Sequence, residues 1–258
     1  MCVSLFRQQQ PSAFALTKPK YKHPSLVEAV FELKFPTDSK WGMSSFIKFA
    51  KAAEQAGFSQ VIDVAEGFQV NIQTKDGVAT PEVTPVSRRI QTWNPERDQL
   101  WQASAEMFAA NRRAPYLGWE KFKPHIMKGW KEYAKLAKPK RAMQMSLHYV
   151  NKIPFSETDG LGTYVKLVPP EISYADTKNN FNCSVIESFK NGDIIQVSSA
   201  RNLDSSDLSI VLNIIYIKKA PSLDLKVLTE QIELGHRKII EAFEKTITDK
   251  QRERMQTL

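Results

Sequence analysis

A chain of 258 residues with 42% hydrophobic and 25% charged residues has the composition of an ordinary globular protein, long enough to bury a core in one large domain or two small ones. Its formal net charge of +8 admits an anionic partner such as nucleic acid, phospholipid or an acidic protein, but speaks to association and not to fold. Two cysteines, Cys2 and Cys183, argue against a disulfide framework. No apolar run approaches the roughly 18 residues of a membrane span, and no basic segment leads into an uninterrupted apolar one, so a cytoplasmic protein without membrane association is expected.

Residues 1–23 mix Gln, Pro and Lys without period and read as an N-terminal arm. From Leu26 strict alternation places Val27, Ala29, Phe31, Leu33 and Phe35 on one face of a strand that Pro36 ends. Asp38 or Ser39 would cap a helix of about four turns, in which Trp41, Phe46, Phe49, Ala50 and Ala53 recur at helical spacing until Gly57. Three strands are predicted next, over 59–74 with Gly67 as a bulge, 88–93 and 99–109.

The stretch Arg112–Arg141 then concentrates the charge. Its ten Lys and Arg residues against Glu120 and Glu132 equal the net charge of the whole protein. Trp119, Phe122, Ile126, Trp130, Tyr133 and Ala137 step by three or four residues, so the stretch reads as an amphipathic helix with an apolar stripe on a sheet and a basic outer surface. Alternation returns in Met143, Met145, Leu147, Tyr149 and Ile153. A loop of weak helical character over 157–167 precedes strands at 181–189, 193–200 and 208–218, the first two joined by a tight Asn191-Gly192-Asp193 turn. Leu225, Leu228, Ile232, Ile239, Phe243 and Ile247 mark a last long helix, after which Thr248 and Asp249 start a short turn.

Written as elements, the two parts read alike: strand, helix, three strands, helix. Short matches agree in offset, among them Arg112-Arg113-Ala114-Pro115 with Lys218-Lys219-Ala220-Pro221. The expected fold is therefore α+β, in two similar halves over 24–140 and 141–258. Each would be an antiparallel sheet with a long helix packed across one face, a β-α-β-β-β-α unit repeated, the two sheets lying side by side or joined into one, with a groove between the halves for a ligand or partner.

Catalytic signatures are missing from the sequence. His23, His125, His148 and His236 are scattered and stand at no metal-ligand spacing. Neither phosphate-binding glycine loops nor a nucleophile elbow occurs, and neither a metal nor a cofactor is expected. The binding candidates are Arg112, Arg113, Tyr116, Lys121, Lys123, Lys128, Lys131 and Lys135, since Lys and Arg neutralise phosphates or carboxylates. The aromatics of this helix fall in register with the core stripe, which argues for packing over base stacking. Asn151, an amide on the apolar side of its strand, must find hydrogen-bond partners there or line the groove. His236 falls on the apolar stripe of the last helix, as a hydrogen-bonded core histidine would.

Three stretches are together similar to motifs of a sporadically distributed family of uncharacterised bacterial and archaeal proteins. They are Tyr21-x-x-Pro24-x-Leu26-Val27-Glu28-Ala29-Val30-Phe31-Glu32-Leu33-Lys34-Phe35, then Tyr116-x-Gly118-Trp119-x-x-Phe122-x-Pro124-x-Ile126, then Leu147-x-Tyr149-x-Asn151-Lys152-Ile153. The helix resembling His236–Phe243, followed by Ile247-Thr248, extends the resemblance over nearly the whole chain, with His148 where the family usually has Arg. No activity comes with it. It implies an accessory component of the kind found in defence or toxin-antitoxin loci. The resulting expectation is a non-enzymatic binding protein acting through a protein partner. The alternatives are a nucleic-acid-binding component using residues 112–141, and a small-ligand binder or cryptic enzyme in the groove.

Overall fold

The computed structural model describes residues 21–36, 41–75, 78–156, 159–169, 181–202 and 208–257, with the backbone alone over 65–75 and 78–88. Most of the arm expected at 1–23, the capping positions Asp38 and Ser39, and the start of the loop at 157 lie outside the described residues.

In chain order the elements are β1 (Leu26–Lys34), α1 (Met43–Gln55), β2 (Gln60–Lys75), β3 (Val78–Trp93), β4 (Gln99–Ala103), β5 (Met107–Arg113), α2 (Trp119–Ala137), β6 (Gln144–Pro154), a single 3-10 turn (Leu161–Thr163), β7 (Asn182–Ser188), β8 (Ile194–Asn202), β9 (Ser209–Lys219), α3 (Leu225–Thr246) and α4 (Asp249–Thr257). The fold is α+β: one nine-stranded antiparallel sheet in the order β2-β3-β4-β5-β1-β6-β9-β8-β7, with four helices among the described residues. The expectation of two similar halves is met only at the level of fold class: the strands are joined into one sheet, and two separate similar halves are not shown. One sheet carries all the strands, and five of them precede α2 where the repeated unit required four.

Two local features account for the extra strand and for the length of β3. The predicted strand over 99–109 is a hairpin turned at Ser104-Ala105-Glu106, a sequence without Gly, Pro or Asn. The Ser104 N–H donates to the Met107 carbonyl at 2.8 Å, and the Ser104 hydroxyl accepts from the Glu106 N–H at 3.2 Å. A side-chain oxygen here replaces the usual turn residues. β3 begins ten residues before the predicted start at 88 because Pro81 and Pro85 disguise it as loop. The pairing of β3 with β4 covers only Ile90–Trp93, so among the described residues the proline-bearing part pairs with β2 alone, the edge position in which proline is tolerated. The bulge expected at Gly67 is present as a register shift against β3.

The chain forms two compact units. One comprises Val30–Met145 with Ala220–Leu225. In it α2 lays Trp119, Phe122, Ile126, Trp130 and Tyr133, all buried, on the sheet. Phe35 stacks on Trp130 at 6.0 Å and Tyr133 at 5.3 Å between ring centroids, and Tyr133 Oη donates to the Ser104 carbonyl at 3.0 Å. Helix α1 ends as the sequence predicts, with Gly57 at a φ of 98° and the Phe58 N–H returning to the Ala53 carbonyl at 2.9 Å. Met143, expected inward, is 51% exposed because β6 starts only at Gln144.

The other unit comprises Met1–Ala29, Ser146–Lys219 and Lys226–Leu258. Leu147 and Tyr149 of β6, Leu212, Ile214 and Tyr216 of β9, and Leu228, Ile232 and Ile239 of α3 form its core. The β7–β8 turn closes through the Phe189 N–H to the Asp193 carbonyl at 2.8 Å, with Gly192 at a φ of 81°. The short final turn expected at Thr248 is a full helix: the Thr248 hydroxyl accepts from the Gln251 N–H at 3.3 Å and starts α4.

Candidate anion-binding surface

Helix α2 starts seven residues after Arg112, because Arg112 and Arg113 finish β5 and Gly118 turns the chain at a φ of 92°. Beyond Gly118 the outermost line is Lys121, Pro124, Lys128, Lys131, Lys135 and Lys138, all exposed. These positions follow an i, i+3, i+7 progression, so five ammonium groups line up along about 25 Å of helix axis. Lys128 Nζ donates to the Ala56 carbonyl at 3.2 Å and Lys135 pairs with Glu132 at 2.8 Å, both at the surface. Lys121 and Lys131 make no ion pair among the described residues. Lys123 is half-buried at the side of this line. Trp119, Trp130 and Tyr133 all point into the core, as their register predicts.

The arginines that precede the helix have different surroundings. Arg112 is 8% exposed, and its Nη2 lies 2.8 Å from Asp98 Oδ2, so it is engaged inside the protein and drops out of the set able to meet a partner. Arg113, its neighbour in β5, points to the other side of the strand and is exposed. Its guanidinium lies 5.9 Å from the centroid of Trp93, and that of Arg97 lies 5.7 Å from the same ring. Tyr116 is half-buried, edge-on to Phe122 at 6.2 Å. The sequence reading missed Trp93 and Arg97. Trp93 closes the strand expected at 88–93, and Arg97 lies in the short connection to the strand expected at 99–109.

Asn151 is 4% exposed and serves structure: its Oδ1 accepts from the Ser25 hydroxyl at 3.2 Å and its Nδ2 donates to the Leu212 carbonyl at 3.3 Å. His236, also buried, has its Nδ1 2.9 Å from Tyr149 Oη. His125 of α2 is stacked on Trp101 and Phe58, with Nε2 3.1 Å from the Asn111 carbonyl. Burial lowers its pKa to about 4 against the raising effect of the Leu100 and Asn111 backbone, so its ring is neutral near pH 7. Asp193, 2% exposed, accepts from Tyr216 Oη at 2.5 Å, Asn191 Nδ2 at 2.8 Å and Lys218 Nζ at 3.1 Å. Burial pushes that carboxyl up, but the three donors outweigh it and hold it below the ordinary carboxylate range.

A cavity of about 350 Å³ opens in the α2-bearing unit between Glu32, Lys34, Arg89, Glu106, Met107 and Met143. Its lining mixes charges of both signs and holds no His, Cys or Tyr. Among the described residues no group of three His, Cys, Asp or Glu side chains is placed to share a metal ion, and no helix is long and apolar enough to cross a membrane. What the outer face of α2 presents is a line of exposed lysines. No family model matches the chain, and neither a curated protein nor a solved structure matches it.

Proposed function

We propose that this chain is a non-enzymatic binding component that acts through a protein partner, docking an acidic surface along the outer face of α2. The observation that carries this is the line of five exposed lysines at i, i+3, i+7 spacing on a helix whose opposite face is wholly committed to the core. A partner helix with acids at the same periodicity meets that line over its full length, since both repeat at the same rise. Single-stranded nucleic acid fits this face less well, because the aromatics of α2 are packed inward and leave no stacking platform beside the lysines. The family resemblance carried by the sequence motifs supports the setting of an accessory or defence component. Complementary charge at such a surface sets association rate and specificity more than raw affinity.

Purification of the tagged chain from its native host at endogenous level tests the reading. An acidic protein should co-purify in fixed ratio and elute as salt rises. Elution of the chain alone, as monomer or homodimer, contradicts it.

A further inference from the structure

We infer that the turn joining β3 to β4 is a single-stranded nucleic-acid site, in which Trp93, Arg97 and Arg113 hold one nucleotide. The base extends the stack begun by indole and guanidinium, and the phosphate is taken by the second arginine.

The turn is locked by its own bonds. Asn94, 7% exposed, donates from Nδ2 to Glu96 Oε2 at 2.8 Å and to Asp98 Oδ1 at 2.7 Å. Its Oδ1 accepts from the backbone N–H groups of Asp98 at 3.1 Å and Gln99 at 2.8 Å. Arg112 holds Asp98 Oδ2, and the Arg113 N–H donates to the Asp98 carbonyl at 2.7 Å. This frame sets Arg97 at a φ of 56° and brings two guanidinium groups beside one indole, at 5.7 and 5.9 Å from its centroid. Both arginines are exposed, and neither has a carboxylate partner among the described residues. Of the acids in the turn, Asp98 is paired with Arg112, and Glu96 is held by Asn94.

Two cations converging on one ring without an acid between them form an arrangement that an anion relieves. The ring adds a second requirement. A guanidinium over an indole can carry a further planar group on its outer side, and unpaired bases stack on arginine planes and aromatic rings alike. A phosphorylated side chain would use the arginines but leave the indole without a role. A duplex keeps its bases stacked and paired, and so offers no free base face. The lysine line of α2 is not needed for this site.

The test is fluorescence anisotropy of the full chain with a short labelled single-stranded oligonucleotide, alongside a duplex and a phosphoserine peptide. Binding to the single strand is expected, with Arg97→Ala and Arg113→Ala each weakening it about tenfold, and Arg113→Ala, which removes the phosphate contact, flattening the slope of log K against log salt by about 0.7. Arg97→Lys should retain the salt slope and lose affinity, because charge remains and the planar stack does not. Near-UV circular dichroism and the melting midpoint report on folding of each variant. In a chain with the α2 lysines reversed, the ratio between Arg97 and Arg97→Ala should persist, which separates this site from the protein-docking face. No binding at low salt, arginine variants that bind like wild type, or arginine-dependent binding of the phosphopeptide or duplex equal to that of the single strand would overturn the inference.

Discussion

Gly129 sits where α2 comes down on β4, and replacing it with alanine makes a sharp test of how tightly the helix is seated. A Cβ at this position would meet Trp101 Cε2 and Nε1 at 2.6 Å and Cδ1 at 2.8 Å. Trp101 has nowhere to go: it is fully buried, stacked on Phe58 at 4.3 Å, and donates from Nε1 to the His125 carbonyl at 3.3 Å. Helix propensity alone favours Gly129→Ala by about 1 kcal/mol. Overpacking against a ring that cannot yield costs about 1 to 3 kcal/mol. A net loss of up to about 2 kcal/mol is expected, a fall of up to a few degrees in the melting midpoint for a chain of this size. Urea unfolding of Gly129→Ala, Trp101→Phe and the double variant measures it. The smaller ring should relieve the clash, giving a favourable coupling of about 1 kcal/mol. Stabilisation by the single Gly129→Ala change would refute the reasoning, since it would mean the helix is free to lift.

The remaining predictions concern groups beside the same helix. The His125 pKa of about 4 lies below its ordinary 6.5, so between those values the unfolded chain takes up a proton that the folded chain refuses. Stability from this residue is therefore complete above pH 6.5 and is lost as pH falls toward 4, by roughly 3 kcal/mol in all. Thermal melts of His125→Gln across that range should be flatter than wild type; parallel curves would contradict the assignment. Arg112→Met leaves Asp98 with Asn94 alone and should cost about 3 kcal/mol, while the pair Arg112→Met with Asp98→Asn should recover part of the loss. Equal stability of Arg112→Met and wild type in urea would show that the pair is solvated.

The fold was legible where periodicity is strong. The alternation of β1 and β6 and the apolar stripes of α2 and α3 placed those elements, and the helical register of Trp119, Trp130 and Tyr133 correctly sent them to the core. What failed was punctuation. Ser104 turns the chain with its hydroxyl, where sequence patterns look for Gly or Asn, and Pro81 and Pro85 sit in a part of β3 that pairs with β2 alone, the edge position in which proline is tolerated. The first error alters the strand count, on which the expectation of two like halves depended, and the second alters only the length of β3. For the surface, composition located the charge on α2 but not which cations remain accessible. Arg112 and Arg113 are adjacent in sequence, and strand alternation sends one to Asp98 and the other to solvent beside Trp93. That distinction needs the β4–β5 register, which no local pattern encodes.

The most direct test of the docking face is a single comparison: the wild-type chain and a variant carrying Lys121→Glu, Lys128→Glu, Lys131→Glu and Lys135→Glu, each purified from the native host under identical salt. The four changes bring the formal charge from +8 to zero while leaving every buried residue of α2 in place. The variant should melt within a few degrees of wild type, because exposed helix positions contribute little to stability, and should lose its acidic protein partner. A partner retained at the wild-type ratio by the folded variant would contradict the account.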